Sequence, residues 1–398
     1  MRPLARLAVA LAVIALQPSS RAGAEPHAAG EPPNFSAMSD DLQRLQTRIA
    51  EGDRSAYPAE VAELTAMAAA IAAAPPETWA GKREAGSLVI YMLSGGALAP
   101  VVPVVKEDSL PVPERALARG ALAYVTNHEA DALELLAPVD LSTLDVRLAG
   151  PVAFARSVLK TRRDSKAAVA DLDWARLVAP GGLVEEAALR REIALLAEAH
   201  DAPRVALLTR QYATRFPASL YAPDFFHDLA RRIASTGLAD DPVNYRLLSD
   251  AAARLPADGR RDFVLTLARA AALNGRFDAA EAAAGEALQH SAAGSADEAR
   301  GRLYLGAGRI FSDAYDAAVA DLQGIASAKL DRSDAALLAA VRNVAVQLRA
   351  APAAASVVSQ AAASGDASKD REAATITKVE DALRRTDSLV AADGSRAP

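Results

Sequence analysis

The 398-residue chain has no cysteine. No disulfide can hold it, so its stability must come from burial alone. Aromatic residues make up only 5% against 51% hydrophobic residues in total, so the apolar material is mostly small and aliphatic. Small apolar side chains suit closely approaching helices better than a sheet or a deep ligand pocket. Strand signals are nearly missing as well: the one β-rich run, Val101–Val105, is interrupted by Pro103 and bounded by Pro100. The five histidines, at positions 27, 128, 200, 227 and 290, show no metal-ligand spacing with one another. There is no HExxH, no Ca²⁺ loop, no GxxxxGK[ST] phosphate loop and no GxSxG elbow. Gly306-Ala307-Gly308 is half of a dinucleotide fingerprint with no strand before it, and packing explains it better. His128-Glu129 and His227-Asp228 are isolated neighbours, read as a turn and a solvated face. No catalytic residue, cofactor or metal is expected. The net charge of −6 argues against nucleic acid or anionic lipid as the main partner, since both reward basic patches.

What the chain does have is punctuation. Leu177–Ala222 reads as two helices joined at His200-Asp201-Ala202-Pro203, with a Pro-Gly-Gly stop before and a Phe-Pro-Ala-Ser stop after. Leu189, Ile193 and Leu196 form an apolar stripe on the first helix, and Val205, Leu208 and Tyr212 form one on the second. Steps of 37 residues from Ala206 land on Ala132, Val169, Val243 and Ala280, and a step of 38 reaches Ala318. Twelve residues before each lie Gly120, Ser157, Ala194, Arg231, Ala268 and Gly306, five of the six small. Turn residues recur at Asn127, Asp164, Asp201, Asp240-Asp241, Gly275 and Asp313, so the period is not an accident of alanine content. Leu267–Leu288 resembles a tetratricopeptide (TPR) repeat, in which small residues let two helices approach closely. The expected fold is all-α, a TPR-like helical-hairpin repeat solenoid over residues 39–350, each repeat touching only its neighbours.

The ends differ in character. Arg2 and Arg6 head the apolar run Leu7–Leu16, and Ala22-Gly23-Ala24 is a small-x-small cleavage pattern. Residues 1–24 are therefore expected to be a signal peptide cleaved after Ala24, giving a periplasmic product with no stable membrane insertion. Residues 25–38 read as a flexible leader, with Ser39 and Asp40 as candidate caps of the first helix. The prolines of Pro100–Pro113 are expected to prevent a regular helix there. Residues 351–368 read as a low-complexity linker. Residues 369–391 read as an amphipathic helix, with Ile376, Val379, Leu383 and Val390 on one side, that either caps the array or docks a partner.

Two clusters are candidate partner-binding residues. Glu185, Glu186, Arg190 and Arg191 form either a solvated helix face, with Glu186 and Arg190 spaced for an ion pair, or a charged ridge where a partner docks. Ser94, Gly95 and Gly96 are first a helix stop, and a contact site only if the proline-rich stretch behind them folds over a ligand.

Five stretches carry a family likeness: Leu88–Gly96 (LVIYMLSGG), Arg119–Tyr124 (RGALAY), Leu148–Gly150 (LAG), Leu177–Glu192 (LVAPGGLVEEAALRRE) and Arg215–Ala222 (RFPASLYA). Together they resemble the chemotaxis and motility protein MotC family of alphaproteobacteria, most closely from about Leu42 to Ile233. The resemblance implies a periplasmic protein required for flagellar rotation, which binds the periplasmic part of the stator protein MotB and assists its folding or placement. It implies no catalytic residue. Residues 215–222 are also similar to a repeat boundary of periplasmic TPR scaffolds of cell-division or outer-membrane assembly machinery, which is the alternative reading. A cell-wall enzyme gripping its substrate with the repeats is a further one, for which no segment is left to form a catalytic domain.

Overall fold

The computed structural model describes residues 33–107 and 109–359. The signal peptide expected at residues 1–24 and its expected cleavage after Ala24, most of the expected leader and the helix expected at 369–391 lie outside the described residues. Within them the chain is helical throughout, with no strand.

Six successive hairpins follow the expected register. They are α5 (Val112–Val125) with α6 (Glu129–Leu136), α7 (Val146–Lys160) with α8 (Ser165–Val178), and α9 (Leu183–Glu198) with α10 (Ala202–Arg215). Then come α11 (Ala222–Thr236) with α12 (Pro242–Ala252), α13 (Ala257–Leu273) with α14 (Phe277–Gln289), and α15 (Ala296–Arg309) with α16 (Tyr315–Gly324). Each residue of the 37-step series falls in the second helix of its pair, and each residue twelve earlier falls in the first. Close approach explains the small residues. A Cβ on Gly120 would lie 2.7 Å from Leu136, and one on Gly306 would lie 2.7 Å from Leu322, so both hairpins pinch shut at the same place. Several turns share one closure, in which a residue with positive φ follows the helix and the next N–H reaches back five residues. Asn127 (φ 62), His200 (φ 57) and Gly275 (φ 70) occupy that position. The bonds are His128 N to Ala123 O (2.8 Å), Asp201 N to Leu196 O (2.9 Å) and Arg276 N to Ala271 O (2.9 Å).

The chain divides into two compact units. The first comprises residues up to Leu195 together with Gln211–Ala222, and the second comprises Leu196–Arg210 with everything from Pro223. The second unit follows the simple repeat plan, each hairpin packing on the next. Ala279, Ala280, Ala283, Ala284 and Ala287 of α14 are all buried. Beside them Gly301 and Gly308 of α15 have no room for a side chain. The last helix, α17 (Arg332–Ser359), continues through part of the stretch expected to be a linker, where alanines favour helix.

The first unit departs from the plan. Its opening hairpin, α1 (Phe35–Ala50) with α2 (Ala56–Ala73), does not stack only on its neighbour. Helix α3 (Lys82–Leu93) is buried along Ala85–Met92 without a break, which a helix reaches only when it is covered on every side. It packs against α1, α5 and α7. Each fully buried Leu, Val, Ile or Met there contributes roughly 1.5–3 kcal/mol. Gln43 of α1 donates to the Arg147 carbonyl at the start of α7 (3.0 Å), and the Arg147 guanidinium donates to Ser36 (2.8 Å) and Asp40 (2.9 Å). The turn at Gly52 abuts Ala218. Nearest-neighbour stacking therefore does not hold in this unit, because α3 is too apolar to leave any side open.

Two local expectations also change. The first helix starts at Phe35, not Ser39. Asn34 caps it by accepting from Ala37 N (3.0 Å), and Phe35 is drawn in against Trp79 with ring centroids 4.8 Å apart. Ser39 is buried inside the helix. The proline-rich stretch forms α4 (Val101–Lys106) and the start of α5. Pro100 and Pro111 precede these helices, while Pro103 and Pro113 sit in their first turns, where no intrahelical N–H bond is lost.

Two glycine substitutions separate strain from crowding. Gly275 (φ 70) has nothing within 4 Å of a built Cβ, so Gly275→Ala should cost only the left-handed penalty, about 1–2 kcal/mol. Gly52 (φ 92) adds a clash, with Ala218 Cβ at 2.8 Å and its carbonyl oxygen nearer still. Gly52→Ala should therefore cost clearly more. Denaturant unfolding of the two variants checks the order, and equal losses would show that the Gly52–Ala218 contact carries no weight.

Candidate interaction surface

The charged residues singled out on α9 do not form a solvated face. Glu185 is 1% exposed and Glu186 is fully buried, while Arg190 and Arg191 are half-buried. The acids face inward because the two chain stops that flank this hairpin fold back onto α9. Glu185 Oε2 accepts from Gly181 N (2.6 Å) in the Pro-Gly-Gly stop and from Arg215 (2.9 Å), and its Oε1 accepts from Gln211 (3.2 Å). Glu186 Oε1 accepts from the Tyr212 hydroxyl (2.8 Å) and from Ser219 in the Phe-Pro-Ala-Ser stop. Burial, together with the Glu186 charge, pushes the Tyr212 hydroxyl above its ordinary range and keeps it a donor. Arg190 does not pair with Glu186. Its guanidinium lies over the Tyr221 ring, 4.5 Å from the centroid. Arg191 donates to Thr161 (2.9 Å). This cluster is the polar interior of the first unit, so it offers a partner no charged ridge.

Ser94, Gly95 and Gly96 are likewise structural. Ser94 is the buried C-cap of α3, and Gly95 takes the left-handed turn (φ 87). Gly96 lies beneath the Tyr91 ring, where any side chain would collide with it. The Tyr91 hydroxyl closes the turn by donating to the Ala97 carbonyl (3.1 Å). The chain behind them forms α4, which buries Val101, Val104 and Val105.

The same kind of acid-centred clamp recurs in the second unit. Glu286 accepts from Tyr245 (2.7 Å), Ser249 (2.6 Å) and Arg260 (2.8 Å). Buried Asp334 accepts from Tyr304 (2.7 Å) and Arg269 (3.0 Å), fixing α17 to the hairpins before it. A shallow concavity of about 480 Å³ lies over the Glu286 clamp. Two of its acids hold partners, Glu286 with Arg260 and Glu281 with Arg309 (2.8 Å), while Asp250 and Arg246 are exposed at its edge and its floor offers little apolar area.

A different concavity is the better candidate. In the first unit a groove of about 600 Å³ opens at the first turns of α3, α5 and α7 and the chain between α6 and α7. Its floor is apolar, formed by Ile90, Leu117, Leu135, Val139, Leu144 and Leu148. Charges from separate elements line its edge: Lys82 and Arg83 from α3, Glu114 from α5, Asp140 and Asp145 before α7, and Arg147. Glu114 Oε2 is buried with no hydrogen-bond donor. Val112 and Val146, adjacent in sequence to lining residues, are 74% and 61% exposed. An apolar floor with a polar edge is the anatomy of a protein contact. No linear motif announces this groove, since its walls come from four elements; Glu114 behind two prolines was its one visible trace. Among the described residues there is no cluster of side chains able to hold a metal, and no helix long and apolar enough to cross a membrane.

The family description "Chemotaxis protein MotC" matches residues 1–395, nearly the whole chain. The chain belongs to the MotC family. A curated relative, the chemotaxis protein MotC of Rhizobium meliloti (strain 1021), is 28% identical over 314 residues, 77% of this chain and 70% of the relative. No solved structure matches the chain. All five stretches that carried the likeness to MotC lie within the first unit, where they supply buried α3, the Gly120 pinch, the α9 clamp and its two stops. In Leu148–Gly150 the glycine is needed because a Cβ would lie 2.6 Å from Ala179 Cβ.

Two expectations follow. Glu186→Lys should cost about 3–5 kcal/mol, as breaking a buried charged contact does, whereas an exposed charge costs within about 0.5 kcal/mol. Thermal unfolding beside an Arg231→Glu control, at an exposed site, measures the contrast. The second concerns pH. Burial alone would raise the Glu286 carboxyl, but the donors Ser249, Tyr245 and Arg260 outweigh it and hold it below the ordinary 4.5. A depressed carboxyl stabilises the fold above its unfolded value, and that contribution fades as pH falls through the folded one. Wild type should therefore exceed Glu286→Gln in stability at neutral pH, with the gap closing on acidification. A pH-independent gap in unfolding midpoints would rule this out.

Proposed function

We propose that the protein is an exported, periplasmic, non-catalytic scaffold required for flagellar rotation, which binds the periplasmic part of a MotB-like stator protein. Membership of the MotC family is the observation that carries this reading. Three features support it. The sequence opens with Arg2, Arg6, the run Leu7–Leu16 and Ala22-Gly23-Ala24 in the order of an export signal. The chain is a set of stacked hairpins whose polar clusters are spent on holding helices together. The first unit carries an apolar groove with a charged edge, a shape suited to a polypeptide. The reading requires neither cofactor nor metal.

A strain lacking the protein should assemble normal filaments that fail to rotate, because a missing stator partner leaves the filament untouched. Purified mature protein titrated with the stator's periplasmic fragment should bind at micromolar concentration or tighter. Normal swimming in the deletion strain together with no binding at high micromolar concentration would end this reading.

A further inference from the structure

One carboxylate oxygen that lines the groove of the first unit has no donor. Among the clamp acids, Glu185, Glu286 and Asp334 each accept from two or more donors, and Glu186 accepts from two on Oε1 while its Oε2, enclosed in the interior, accepts from none. Glu114 Oε2, at the edge of the apolar groove, is buried and accepts from none. Its position in the first turn of α5 favours negative charge, but the first-turn dipole supplies no bond to that oxygen. A carboxylate oxygen withdrawn from water without a donor is costly, and an arriving cation removes the cost. Among the other acids on the edge, Asp140 accepts from Ser142 N (3.0 Å) and Ser142 Oγ (2.7 Å), and Asp145 pairs with Arg147 (3.0 Å). Glu114 is the acid left to meet a partner.

We infer that this groove is the docking site for the stator fragment, and that it takes a segment presenting an apolar side chain beside a lysine or arginine. The apolar side chain enters over Leu117 and Leu144, and the cation meets Glu114 Oε2. The commitment to a basic-apolar segment rests on charge complementarity: the floor rewards apolar area, and the buried charged atom lining the groove without a partner, Glu114 Oε2, is negative, whereas Lys82 and Arg83 at the edge are exposed to water. This inference rests on the function proposed above and names the face and chemistry of the same contact.

The test titrates the full mature chain and its variants with the purified periplasmic stator fragment, the fold of each variant checked by thermal unfolding. Glu114→Gln leaves the groove's shape intact and should weaken binding about tenfold or more, with a shallower salt dependence. Ala116→Trp, from a half-buried position lining the groove, should block it. Gln289→Lys, on the concavity of the second unit, should change nothing. Changing each Lys and Arg of the fragment to Glu in turn should reveal one that loses wild type and regains Glu114→Lys, a pairing that no general loss of stability produces. Wild-type binding unaffected by Glu114→Gln and Ala116→Trp would overturn the groove assignment and leave the proposed function standing. Loss of binding by Gln289→Lys alone would move the contact to the second unit. No binding by wild type would overturn both.

Discussion

A pair of helices exposes more apolar surface than the two can cover by facing each other, and this shortfall governs the whole chain. Each hairpin needs another body against its outer stripe, and a chain poor in aromatic residues can meet that need only by bringing backbones close together. Glycine and alanine make the approach possible: Gly120 beneath Leu136, Gly306 beneath Leu322, and the alanine face of α14 beside Gly301 and Gly308. In the second unit the shortfall passes from one hairpin to the next. In the first it is met by gathering several helices around α3, whose run from Ala85 to Met92 leaves no face for water. The two units thus use one kind of building block under different burial demands.

Charge follows the same logic. Dispersion between small side chains has little directional character, so it fixes how close the helices come better than it fixes their register. The buried acids supply register. Glu186 draws Tyr212 and Ser219 onto α9, and Asp334 draws Tyr304 and Arg269 onto α17. Each such contact adds modest net stability when complete and costs far more when one member is removed. In such an array the buried acids bind the protein's own helices together. What it offers another molecule is relief, and the groove over Leu117 and Leu144 is where relief and an unmet charge coincide.

The charge pattern of α9 shows how a sequence misleads. Glu185-Glu186 and Arg190-Arg191 have the spacing of a solvated ion-paired face, and local geometry permits that pairing. Tertiary contacts override it, because the Pro-Gly-Gly and Phe-Pro-Ala-Ser stops fold back and present Gly181 N, Tyr212 and Ser219 as better donors than water. The prolines of 100–113 mislead in the opposite sense. They look like helix breakers, yet each lies before a helix or in its first turn, where the missing N–H has no intrahelical acceptor to lose.

The sequence by itself determined the hairpins and their register. Period, small residues and turn residues act within a few tens of positions, and Asn127, His200 and Gly275 mark the turns without help from distant parts of the chain. It also determined the family, through five stretches that specify the interior of the first unit. Only the tertiary structure decided which face of α9 is inside, that α1 reaches Arg147 and Ala218, that α3 is covered all round, and that Glu114 lacks a donor. The reason is range. A periodic stripe says that a face will be covered, but not by what, and the covering bodies here lie far along the chain, where spacing in sequence carries no information about distance in space.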